Sequence, residues 1–113
     1  MKKFIEKRKH LRIEVDWPIK IDLKGRIIAC ETKDISAEGV SFFCNEPLPI
    51  DEIIYLLLVP QDHPPIELYG KVIWSEVYGI DEEDTVYGFG VFFAQVSQKD
   101  AKQYKDIIKS MIS

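Results

Sequence analysis

The stretch Ile-Glu-Val-Asp-Trp-Pro-Ile-Lys-Ile-Asp-Leu, residues 13–23, decides the fold class. Its apolar residues occupy every second position, with mostly charged residues between them. A period of two residues is typical of a β-strand that buries one face. Pro18 interrupts the pattern, and because proline cannot donate a sheet hydrogen bond, it predicts an edge, a bulge or a break in this strand.

Further strands are predicted along most of the remaining chain. Lys24-Gly25 predicts a tight turn into a second strand, so that the first two strands form a hairpin. The later strands are predicted over residues 26–35, 40–44, 53–59, 66–78 and 86–96. Residues 53–59 are continuously apolar, which favours a strand buried on both faces.

Only the end of the chain changes period. Apolar residues recur at helical spacing from Ala101 to Ile112, and Ser97 followed by Asp100 resembles a capping box. We therefore predict an all-β domain, a six-stranded antiparallel β-barrel with a C-terminal α-helix packed on it.

Composition limits the class of protein. A chain of 113 residues with 46% hydrophobic residues supports one core, and its longest apolar run is far below the roughly 20 residues of a membrane span. No secretory signal pattern is present, so we expect a cytoplasmic domain. Cys30 and Cys44 lack a metal-ligand or Cys-x-x-Cys pattern and are expected to be buried, reduced thiols, with a disulfide or a redox role as the alternatives. We expect no catalytic residues, metal or cofactor, and hence no enzyme, because Ser36 has no evident base partner.

Charge is distributed unevenly. The first twelve residues carry six basic side chains and one acidic one, a net +5, which leaves −9 for the rest of a chain whose total is −4. This predicts a flexible basic arm over residues 1–12 on an acidic barrel domain over residues 13–113. A local anionic partner fits such an arm, although a solvated tail has the same composition. An isoelectric point near 5.2 argues against a broad nucleic-acid surface.

Two motifs carry chemistry. Arg8 and Arg12 are separated by three residues, and guanidinium groups suit phosphates and the O6/N7 edge of guanine. Asp34, Ser36 and Gly39 follow, where a carboxylate could accept from the N1–H and amino group of guanine. Gly39 could take a positive φ or let a ligand approach the backbone. The alternatives are plain surface charge for the first motif and a local turn capped by Asp34 or Ser36 for the second.

In this order and at this separation, the two motifs resemble those of the PilZ family. The resemblance continues through Gly-Lys-Val-Ile-Trp, residues 70–74, and Tyr-Gly-Phe-Gly-Val-Phe-Phe, residues 87–93. It implies a bacterial β-barrel receptor for the second messenger cyclic di-GMP, whose N-terminal arm folds over the ligand. It implies that Arg8 and Arg12 contact guanine edges and phosphates. Asp34, Ser36 and Gly39 would form the floor of the site. Further candidates are Lys7, Lys9, Lys71 and Trp74, of which Trp74 also suits the core.

The expected function is that of a ligand-gated adaptor, in which the closed arm alters the surface that meets an unidentified downstream protein. One alternative is a PilZ-type interaction module with weak or no nucleotide binding, acting through the barrel surface or the helix face around Tyr104 and Ile108. The other is a small barrel that binds nucleic acid.

Overall fold

The computed structural model describes residues 12–79, 83 and 85–112. In order, its elements are β1 (Ile13–Glu14), β2 (Pro18–Leu23), β3 (Arg26–Ile35), β4 (Gly39–Cys44), β5 (Ile53–Leu58), β6 (Ile66–Tyr78), β7 (Val86–Val96) and α1 (Gln98–Ile112). Apart from the first predicted strand, which is divided into β1 and β2, each strand lies within one residue of its predicted bounds.

Six of these strands close into a barrel. Neighbouring strands are antiparallel in the order β3-β2-β5-β6-β7-β4, and β4 pairs back with β3. The short strand β1 is an addition that pairs with the end of β3. The predicted six-stranded antiparallel barrel with a C-terminal helix is confirmed.

The first predicted strand is broken before Pro18, as proline predicts. The chain leaves the strand after Glu14 and re-enters it at Pro18. Buried Thr32 of β3 holds this break, because its hydroxyl donates to the carbonyl oxygen of Trp17 at 2.8 Å. The Lys24-Gly25 turn is also confirmed, since both residues have positive φ, 53° and 88°, as a two-residue hairpin turn requires.

The core fills the barrel interior with side chains at alternate positions. Its fully buried members are mostly branched aliphatic residues: Ile19, Ile21, Ile35, Val40, Leu56, Leu58, Ile66 and Val72, with Phe42 and Phe89. The prediction that residues 53–59 are buried on both faces is wrong. Ile53 is 59% exposed and Tyr55 is half-buried, because the barrel has one interior and the outer face of β5 meets solvent.

The cysteines differ from expectation. Cys30 and Cys44, expected as reduced thiols, form a disulfide between β3 and β4. The antiparallel register places Glu31 opposite Phe43, so the two cysteines face each other across neighbouring strands, with Cα atoms 5.0 Å apart. Their spacing in the sequence carries no sign of this register.

The helix begins as predicted and packs tightly. The Ser97 hydroxyl accepts the N–H of Asp100 at 3.1 Å, and the Asp100 carboxylate accepts the N–H of Glu67 on β6 at 3.1 Å. Tyr104 is only 5% exposed. The face around Tyr104 and Ile108, considered above as an interaction surface, therefore packs against the barrel. Within the described residues, no helix combines the length and apolar character needed to cross a membrane.

Candidate ligand-binding site

Strand β1 brings Arg12, the second arginine of the first motif, to the second motif. It runs antiparallel to the end of β3, with Ile13 opposite Ile35 and Glu14 opposite Asp34. Arg12 directly precedes β1, and its Nη1 donates to Oδ1 of Asp34 at 2.9 Å. Two residues 22 positions apart, which the sequence places in separate motifs, are therefore in direct contact.

The Asp34 carboxylate has a second partner on β4. Ser41 lies opposite Asp34 in the β3–β4 register, and its hydroxyl donates to the same Oδ1 at 2.7 Å. Ser41 is 2% exposed, so its hydroxyl has little access to water. Sequence reasoning missed this residue. The available signal was a polar side chain inside a short, otherwise apolar strand.

The loop between β3 and β4 is a tight turn closed by its own backbone. The N–H of Ser36 donates to the carbonyl oxygen of Gly39 at 2.9 Å, and the Ser36 hydroxyl accepts the N–H of Glu38 at 3.3 Å. Ser36 therefore caps a local turn, as the alternative interpretation of this motif expects. Gly39 does not adopt a positive φ, so the first of the two alternatives for this glycine is wrong, and the approach of a ligand to its backbone stays a prediction. A Cβ there would overlap the carbonyl oxygen of Val91, so glycine allows the close approach of β4 to β7.

Beside this loop lies an open cleft of about 170 Å³, which we call the motif cleft. Its lining residues are Arg12, Ser36, Glu38, Gly39, Val40, Ile73, Trp74, Gly90, Val91 and Phe92. Four of the predicted residues line it, and Asp34 is joined to it through Arg12. Lys71 is not in the lining, but it lies opposite Phe92 on the next strand. Lys7, Arg8 and Lys9 fall outside the described residues.

Half of the lining residues come from β6 and β7: Ile73, Trp74, Gly90, Val91 and Phe92. Trp74 is half-buried and pairs with Gly90, where a Cβ would overlap the indole ring, so Trp74 both packs on the barrel and borders the cleft. Ile73 and Phe92 are each 49% exposed. Sequence reasoning assigned no role to these two residues. The sequence carried no local signal for Phe92, because Val91, Phe92 and Phe93 are consecutive apolar residues that do not show which of them faces outward.

The motif loop is also held from the opposite side. Tyr104 of α1 donates its hydroxyl to the carbonyl oxygen of Ser36 at 2.5 Å and lies 3.3 Å from that of Gly39. Burial, together with the nearby negative charge of Asp34, raises the pKa of Tyr104 well above its ordinary value, so the hydroxyl remains a donor. The N–H of Phe93 donates to the carbonyl oxygen of Glu38 at 2.9 Å. The loop is thus fixed to both α1 and β7.

Comparison with known proteins identifies the same fold. The family described as PilZ domain matches residues 6–110. Among solved structures, MrkH of K. pneumonia in its apo state aligns with a TM-score of 0.78 at 22% identity, covering 90% of this chain and 49% of MrkH. The MrkH–c-di-GMP complex aligns with a TM-score of 0.78 at 20% identity, covering 90% and 51%.

An isolated domain also aligns closely. The PilZ domain with c-di-GMP of YcgR from Escherichia coli has a TM-score of 0.73 at 17% identity, covering 88% of this chain and 87% of that one. The chain spans about half the length of the MrkH structures. No curated protein sequence matches it significantly.

Proposed function

This chain belongs to the PilZ domain family, and from that premise we propose that it is a cyclic di-GMP receptor that binds the dinucleotide at the motif cleft. The observation that carries the proposal is the contact between Arg12 and Asp34 at the border of that cleft. Neither residue alone is specific. Their meeting beside Ser36 and Gly39 favours a built site over scattered surface charge.

The chemistry of the cleft suits a guanine nucleotide. The Arg12 guanidinium can donate two parallel bonds to phosphate or to guanine O6 and N7. The Asp34 carboxylate can accept from guanine N1–H and its amino group, which adenine does not present in that arrangement. The Arg12 side chain is 52% exposed. The Asp34 side chain is only 13% exposed, but Ser41 also donates to its carboxylate, so Arg12 can turn from Asp34 to the ligand without leaving the carboxylate unpaired.

The basic arm supplies the rest of the proposed site. Arg8, with Lys7 and Lys9 beside it, belongs to the segment of net +5. Two ligand phosphates would relieve the repulsion among these cations, so we propose that the arm closes over the dinucleotide and reshapes the surface that meets a partner protein. The description of MrkH as a c-di-GMP dependence transcription regulatory factor is consistent with such an output in a related fold.

Calorimetric titration tests the proposal, with cyclic di-GMP, cyclic di-AMP, GTP and a single-stranded oligonucleotide in parallel. We expect cyclic di-GMP to bind far more tightly than the others. The double variant Arg8→Ala/Arg12→Ala should lose more than about tenfold in affinity per arginine. Arg26→Ala is the matched control, because Arg26 pairs with Glu46 and does not line the cleft. Unchanged affinity in the double variant would refute the site, and equal affinity for both cyclic dinucleotides would show that only phosphate is recognised.

A further inference from the structure

Phe92 is an aromatic residue in an unusual place. Its ring is 49% exposed on the outer face of the barrel, at the border of the motif cleft. Among the described residues, no other aromatic ring pairs with it. An exposed aromatic side chain that neither packs in the core nor pairs with another ring leaves a flat apolar surface available to a ligand.

The strand register keeps this surface open. Opposite Phe92 on β4 stands Gly39, which has no side chain to cover the ring. Opposite it on β6 stands Lys71, whose side chain is exposed. Ile73, which is 49% exposed and also lines the cleft, extends the apolar area along β6. We call Phe92 and Ile73 the apolar shelf.

The shelf adjoins polar groups of the motif cleft. Arg12, Ser36 and Glu38 line the same cleft, so a planar group resting on Phe92 would have hydrogen-bonding side chains near its edge. Size agrees with one ring system, because an engineered cavity of about 150 Å³ holds benzene, and the cleft measures about 170 Å³. The rest of a dinucleotide would extend beyond it.

We propose that Phe92, supported by Ile73, is the stacking surface for one guanine base of the ligand. The inference rests on the proposed function and adds a recognition residue outside both sequence motifs. Aromatic rings stack on any base, so Phe92 contributes affinity, whereas Arg12 and Asp34 select guanine. Lys71 places a positive charge next to the ring, where a phosphate attached to the stacked nucleoside can approach.

The test is calorimetric titration of cyclic di-GMP into the full chain and four variants. Loss of one base–aromatic stack corresponds to roughly a 5- to 150-fold drop in affinity, which is the expectation for Phe92→Ala. Phe92→Trp should bind like the unsubstituted protein because it keeps a flat ring, and Phe92→Leu should behave like Phe92→Ala. Ile53→Ala is the matched control, since Ile53 is 59% exposed in the same cross-strand row but does not line the cleft.

The outcomes separate the two proposals. If the unsubstituted protein binds and Phe92→Ala binds equally well, the stacking role is overturned while the receptor function stands. Equal losses in Phe92→Ala and Ile53→Ala also overturn it, because the effect would then be general to the surface. If the unsubstituted protein binds no cyclic di-GMP, the receptor function fails and the stacking role fails with it. Thermal melting of each variant confirms that affinities are compared between folded proteins.

Discussion

Phe92 and Phe93 are consecutive residues of β7, yet they border two different cavities. Phe92 borders the motif cleft, and Phe93 borders a second cavity under α1, which we call the helix pocket. Both cavities measure about 170 Å³. The lining of the helix pocket is mostly apolar: Ala37, Ile66, Leu68, Phe93, Val96, Ala101, Tyr104, Lys105, Ile108 and Lys109. The volumes are equal, but the motif cleft has charged and polar side chains beside its apolar ones. This difference agrees with the proposed ligand recognition on one side and with helix packing on the other.

The motif loop lies between the two cavities and touches both. Ser36 lines the cleft, whereas its neighbour Ala37 lines the helix pocket. From the pocket side, Tyr104 reaches the loop with its hydroxyl, and its ring packs edge-on against Phe93 with centroids 5.1 Å apart. The hydroxyl of Tyr104 therefore connects the loop that lines the cleft to α1.

The largest effect expected of a single substitution lies on the cleft side, at Asp34. Asp34→Ala removes the acceptor for guanine N1–H and its amino group, so affinity for cyclic di-GMP should fall by about 3 kcal/mol, roughly a hundredfold. Asp34→Asn keeps one acceptor oxygen and should lose less. Asp106→Ala is the control, because Asp106 pairs with Lys102 on the exposed face of α1. Calorimetry measures all three, and an Asp34→Ala variant that binds normally would remove Asp34 from the site.

The two phenylalanines allow a direct test of the comparison. Phe93→Ala should lower the free energy of unfolding by about 2 kcal/mol, less than for a fully buried phenylalanine because Phe93 is half-buried. Phe92→Ala should change it by less than about 0.5 kcal/mol, since surface substitutions have small effects. Urea denaturation of both variants gives the two values. Similar destabilisation by both would show that the cavities do not differ in the way their linings indicate.

Ser41→Ala tests how the cleft holds its carboxylate. The substitution removes the 2.7 Å bond to Asp34 Oδ1, and a hydrogen bond to a charged group contributes about 1.5–3 kcal/mol. Because Ser41 does not line the cleft and acts only through Asp34, we expect the low end of that range, about a tenfold loss of cyclic di-GMP affinity. Ser75→Ala, on an exposed position of β6, is the control. If affinity is unchanged while stability falls, Ser41 supports the fold alone.

Local patterns in the sequence were enough to predict the strands but not every residue of the proposed site. Alternation predicted β6 and β7 at their observed bounds, and Pro18 predicted the break between β1 and β2. Ser41 and Phe92 were missed because their roles depend on which strands lie side by side. Asp34 meets Ser41, and Gly39 meets Phe92, through registers that link distant parts of the chain.

The same limit explains the remaining errors. The disulfide between Cys30 and Cys44 follows from the β3–β4 register, which composition does not reveal. The solvent-facing side of β5 follows from barrel closure. A run of apolar residues does not by itself show whether a strand is buried on one face or on both. The motifs themselves were found because their residue types and short spacings are local.

Tyr104→Phe should also have a small effect, because it leaves the ring in the helix pocket and removes only the hydroxyl that contacts the loop. Near neutral pH, the free energy of unfolding should fall by about 1 kcal/mol, the usual contribution of one hydrogen bond. The effect should also depend on pH. Burial raises the pKa of Tyr104 in the folded protein, whereas an unfolded tyrosine ionises near pH 10.

Above about pH 10, therefore, the unfolded chain binds fewer protons at this position than the folded one, and stability falls as pH rises. The contribution of the hydroxyl is fully present below pH 10 and is lost progressively above it. Phenylalanine does not titrate, and the other tyrosines are common to both proteins. The stability difference between the unsubstituted protein and Tyr104→Phe should accordingly shrink between pH 9 and pH 11 in urea denaturation. A difference that stays constant over this range would mean that the hydroxyl is accessible to water, and that α1 does not fix the motif loop through it.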